Sequence, residues 1–159
     1  MSTESKIYTK RAINEFNLST MIMKISENDN IQAEIFNMPP DTYFSAVISH
    51  AYYSIFYITK AYLHTKGIKT KVPEEHKKTF EEFKKLVEKG AVDVELLKIY
   101  QQLMMRADTL LKIFQTEKNK RGNFTYRTIP QANLEPAKES IANAEKFLRN
   151  MSKLVTNKS

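Results

Sequence analysis

The chain has 159 residues, a formal net charge of +7, 42% hydrophobic residues and no cysteine. That length suits one domain, residues 1–159, able to bury roughly two-thirds of its unfolded surface without staples. The lack of cysteine excludes a disulfide framework, thiolate catalysis and cysteine-ligated zinc. It fits a reducing compartment, and MSTESKIYTKR at the start lacks an apolar core of signal-peptide length, so a cytoplasmic location is expected.

From Lys6 to about Glu27 an apolar stripe through Ala12, Ile13, Phe16 and Met23 predicts a first helix. The polar break SENDN and a short apolar piece, IQAEIFNM, follow it. Pro39 and Pro40 stop that piece, and Asp41 is read as the N-cap of a helix running to about Lys66, with Gly67 as its stop. Residues 43 to 63, YFSAVISHAYYSIFYITKAYL, approach the length of a membrane span but include His50, Lys60 and several Ser and Thr. They read as a buried helix, and one apolar almost all round belongs at the centre of a bundle, at an oligomer interface, or both.

Pro73 with Glu74 and Glu75 marks a third start, Gly90 its end, and Phe80, Phe83, Leu86 and Val87 its inward face. Asp93 caps a fourth helix to about Glu117, where Leu96, Tyr100, Leu103, Ala107, Leu110, Leu111 and Phe114 recur at spacings of three and four. A last helix, about Ala132 to Leu154, turns Ala137, Ile141, Ala144, Leu148 and Met151 inward. No alternation of strand type competes with these patterns and no long repeat is present. The predicted fold is all-α, an up-and-down bundle of four to five helices. Whether residues 1–38, the N-terminal helical segment, pack on that bundle or meet a partner is left open.

The positive charge is localised. Residues 60 to 78 and residues 112 to 127 each carry a balance of +4, so everything else sums to −1. In the second stretch Lys118, Lys120, Arg121 and Arg127 surround Phe124 and Tyr126, a mixture that suits single-stranded bases and their phosphates. The same residues also suit a plain connection, with Phe124 and Tyr126 filling the gap between two helices and the cations left in water. Only five of the 25 basic residues are Arg, a weak basis for bidentate phosphate recognition.

Several chemistries find no support. Gly67, Gly90 and Gly122 lie too far apart for a phosphate-cradling loop. His50, His64 and His76 lack the spacing of a helical zinc site, so neither metal nor cofactor is expected. His50 reads first as a hydrogen-bonded histidine of the bundle interior, and His76 as exposed.

SHAYYSIFYITKAYLHTKGI, residues 49 to 68, resembles the helix of HEPN domains that carries an A-Y-Y, aromatic, K/R-A-L series and ends in a K-G-I/V turn. EEHKK, residues 74 to 78, is similar to the T-H-K segment that follows there, and ANLEPAKESIANAEKFL, residues 132 to 148, to the family's final helix. The resemblance covers about residues 41–155. It implies a helical bundle that usually forms a homodimer, in small prokaryotic proteins encoded beside a minimal nucleotidyltransferase or in RNA-cleaving toxins of toxin-antitoxin type.

The catalytic signature of that family is an Arg followed by four to six residues and a His. Arg121 occupies the Arg position, but Tyr126 stands where the His belongs, and no histidine follows His76. Histidine suits the task of taking the proton from a 2′-hydroxyl because its pKa lies near neutrality, whereas a phenol needs a neighbouring cation to depress its own. Two expectations follow. One is a HEPN-like binding module whose Lys118, Lys120, Arg121, Phe124, Tyr126 and Arg127 contact a nucleotide, RNA or a partner protein. The other is a metal-independent ribonuclease in which Arg121 and Tyr126 are catalytic, or in which His50 or His76 reaches the site across the bundle or a dimer interface. No membrane partner is expected.

Overall fold

The computed structural model describes residues 1–119 and 133–157, except for the side chains of residues 111–119. Five α-helices lie among the described residues: α1 Thr3–Ser26, α2 Phe44–Thr65, α3 Glu75–Glu88, α4 Val94–Asn119 and α5 Leu134–Thr156. A short π-helical turn, Ile31–Ile35, joins the first two. The described residues contain no strand, and the all-α bundle matches the sequence reading.

Small residues spaced seven apart bring α1 against α2. Ser5, Ala12, Ser19 and Ser26 are all buried, and their size lets the two backbones approach closely. The Ser5 hydroxyl donates to the Ala61 carbonyl at 3.0 Å and the Ser19 hydroxyl to the Val47 carbonyl at 2.7 Å. Ser26 Oγ accepts the Tyr43 N–H at 2.9 Å. Each serine thus finds a partner on α2 or at its entrance, where a buried unpaired hydroxyl would be costly. The N-terminal segment is part of the bundle, and α1 makes its most extensive contact with α2.

The start of α2 differs from the expectation. Asp41 does not cap it; the helix begins at Phe44, with no side-chain cap from Tyr43. Buried Gln32 accounts for this: its Oε1 accepts the Asp41 N–H at 2.9 Å while its Nε2 donates to the carbonyls of Ile25 and Asp41, at 2.7 and 3.0 Å. Asp41 is therefore held by the crossover, and its carboxylate takes the Thr42 N–H instead.

Thirteen of the 22 residues of α2 are buried, and α2 touches each of the other four helices. Most of its circumference is covered by its own chain, while Tyr53 stays exposed. Among the described residues no helix is long and apolar enough to cross a membrane.

The remaining stops and starts follow local chemistry. Gly67 and Gly90 end α2 and α3 at φ +74° and +76°, where a Cβ would be strained. Asp93 accepts the Glu95 N–H at 2.8 Å and so caps α4. Beyond the positions read from the pattern, Phe147 of α5 is fully buried and packs at ring distances of 5.7 Å from Phe83 and 5.9 Å from Tyr100. Arg106 ties α4 to α5 through Glu139, at 2.6 Å, and Ser140, at 3.2 Å.

Candidate functional site

Of the residues singled out by sequence, Lys118 falls in α4 beyond the last described side chain. Lys120, Arg121, Phe124, Tyr126 and Arg127 lie outside the described residues. The flanks of that stretch are described. Leu110 on α4 and Leu134 at the start of α5 pack into one cluster with Met23, Val47, Ile48 and Ala137.

Leu110 also borders a pocket of about 450 Å³ formed with Ser49, Tyr52 and Tyr53 of α2, His76 of α3, and Ala107 and Asp108 of α4. That volume falls within the roughly 300–1,000 Å³ of small-molecule sites. Helical spacing explains the contribution of α2, since residues three and four apart share a face and Ser49, Tyr52, Tyr53 and Phe56 satisfy that rule.

His76 sits in the first turn of α3 and is fixed on two sides. Its ring lies parallel to Phe56 with centroids 4.0 Å apart, and its Nδ1 is 2.9 Å from Tyr52 Oη. Burial lowers its pKa, although Glu75 and Asp108 act in the opposite direction. His76 as a residue stays exposed, as read from the sequence, and the lowered pKa favours the uncharged imidazole at neutral pH. Burial also raises the Tyr52 pKa, with Asp108 adding to the effect, so Tyr52 keeps its proton. Tyr100, wholly buried behind Tyr52 with its ring 6.3 Å away and edge-on, is raised by burial as well.

Glu75, beside His76, is anchored by Lys60. The Lys60 side chain is only 4% exposed and forms a hydrogen-bonded ion pair with Glu75. Its ammonium also lies 4.5 Å from the Tyr8 ring centroid and 3.4 Å from the Thr70 carbonyl. Burial acts to lower the Lys60 pKa, but Glu75 and Tyr8 outweigh it and the pKa is raised. The Lys of the K/R-A-L series thus clamps α2 to the start of α3, and the clamp sets where His76 stands.

The other two histidines bridge α2 to α1. His50 Nδ1 is 2.6 Å from Glu15 and His64 Nδ1 is 3.4 Å from Glu4. His50 is therefore the hydrogen-bonded histidine its position suggested, and among the described pocket residues His76 is the one imidazole. No group of three His, Cys, Asp or Glu side chains among the described residues is arranged to hold a metal ion.

The pocket thus combines stacking surfaces, a neutral imidazole, hydroxyls and one carboxylate, and none of its described lining residues is Lys or Arg. It can hold a planar, hydrogen-bonding group, while a phosphate would need cations from outside it. No family model matches the chain, nor does any curated protein or solved structure.

The acid side of the stability profile reports on His76. A histidine with a lowered folded pKa contributes stability that is complete above its unfolded value, about 6.5, and is lost as pH falls through the folded value. His64, also lowered by burial, acts in the same direction. Urea midpoints measured between about pH 7.5 and pH 5 should fall, and His76→Gln should make the fall shallower without abolishing it. An unchanged slope in His76→Gln would mean that the imidazole titrates as if in water.

Proposed function

We propose that the chain is a HEPN-like helical binding module that takes a nucleotide or single-stranded RNA. A base occupies the Tyr52, Tyr53, His76 and Asp108 pocket, and Lys118, Lys120, Arg121 and Arg127 meet the phosphates. In this reading the module works in a paired system with a minimal nucleotidyltransferase or toxin-antitoxin partner. The observation that carries it is the pocket, whose aromatic walls suit a base and which lacks a described cation. Support for joining it to the basic stretch comes from Leu110, which borders the pocket and also packs in one cluster with Leu134, just beyond that stretch.

The test is a titration with a short single-stranded oligoribonucleotide. Tyr53→Ala and Arg121→Ala should each weaken binding roughly tenfold, and only the arginine variant should flatten the salt dependence. Binding untouched by Tyr53→Ala would refute the pocket as the base site.

A metal-independent ribonuclease is the second reading, and His76 favours it because, in the tautomer with its hydrogen on Nδ1 shared with Tyr52 Oη, its Nε2 can accept a proton. RNA incubated with the protein in chelator decides between the two. Cleavage lost in His76→Ala and in Arg121→Ala supports the enzyme, and intact RNA supports the binding module.

A further inference from the structure

We infer that the pocket selects guanine among the four RNA bases, through Asp108 and His76; the inference rests on the nucleotide-binding reading above. The aromatic walls do not discriminate, because every base offers a π face. Selection therefore falls to the polar groups.

Asp108, as a carboxylate, only accepts hydrogen bonds, and its two oxygens suit two donors side by side. Guanine presents that pair on one edge, in N1–H and the N2 amino group. Adenine and cytosine each offer an amino group next to a ring-nitrogen acceptor, which sets a lone pair against the carboxylate. Uracil offers one donor between two carbonyls.

His76 supplies the complementary donor. The Tyr52 hydroxyl lies 2.9 Å from His76 Nδ1, and guanine selection takes the tautomer in which that hydroxyl is the donor. An uncharged imidazole accepting at Nδ1 carries its hydrogen on Nε2, which leaves Nε2 as a donor for guanine O6. The donor at O6 and the acceptor for N1 and N2 match the edge of guanine in order. Asp108 and His76 line the same pocket, from α4 and α3, so one bound ring can face both groups.

A quaternary ammonium ligand would use the same rings and carboxylate. It would leave the Nε2 donor without an acceptor, and that favours the base.

Calorimetric titration of the full chain with GMP, AMP, CMP and UMP tests the inference, with choline as a competitor. GMP should bind roughly tenfold or more tightly than AMP, and Asp108→Asn should abolish that preference. Asp108 is exposed, so the variant should fold as the native chain does, which circular dichroism checks. AMP binding as tightly as GMP, a preference that survives in Asp108→Asn, or displacement of GMP by equimolar choline would each overturn the guanine assignment and leave nucleotide binding standing. Failure of all four nucleotides to bind would overturn the guanine assignment, and failure of a single-stranded oligoribonucleotide as well would overturn both.

Discussion

Phe147→Ala is expected to destabilise the protein by about 3–5 kcal/mol, the range for removing a fully enclosed ring from a core. Phe147 has no exposed surface and packs against Phe83 of α3 and Tyr100 of α4. The cavity would open where three helices meet, and helices are too stiff to collapse into it fully. Denaturant unfolding should show a lower midpoint with an unchanged slope, and the melting temperature should fall by roughly 10 °C. A loss below about 1 kcal/mol would mean that α5 does not close the bundle as described.

The second large effect is an asymmetry between two partners. Glu75→Ala should cost about 2–4 kcal/mol, because it leaves the Lys60 ammonium buried without its counter-charge. The figure lies toward the lower part of the range for buried pairs, since Glu75 keeps 27% of its side chain exposed. Lys60→Met should instead remain within about 1 kcal/mol of the native protein, as removing the charge also removes its desolvation cost. Thermal or urea unfolding of both variants measures the contrast. Equal losses would show that the pair stabilises by attraction alone.

The same pair sets an alkaline limit. Lys60 has a raised folded pKa, so its contribution is complete below the unfolded value of about 10.4 and is lost as pH rises through the folded value.

The helices were legible because their signals are local. Gly67 and Gly90 stop helices where a left-handed residue is required, Asp93 caps α4 from the adjacent position, and Leu96, Tyr100, Leu103 and Leu110 turn inward at helical spacing. The start of α2 was misread because its cause is distant: Gln32, nine residues upstream, takes the Asp41 N–H that a cap would have left to solvent.

The pocket was illegible for the same reason. Tyr52, His76 and Asp108 come from three helices, and only the packing of those helices brings them together. Two signals were nonetheless present in the text of the chain. The A-Y-Y series contains Tyr52 and Tyr53, and EEHKK contains His76 with its anchor Glu75. What the sequence withheld was the partner of each: Phe56 beneath the imidazole, Tyr52 at its nitrogen and Lys60 behind Glu75. Lys60, read at first as a mark against membrane insertion, pairs with Glu75 at the start of α3.

Amide chemical shifts of the ¹⁵N-labelled protein, followed during titration with a single-stranded oligoribonucleotide, test the central assignment most directly. The account requires saturable shifts at Ser49, Tyr52, Tyr53, His76 and Asp108. Silence at these five positions, with or without shifts elsewhere, would contradict it.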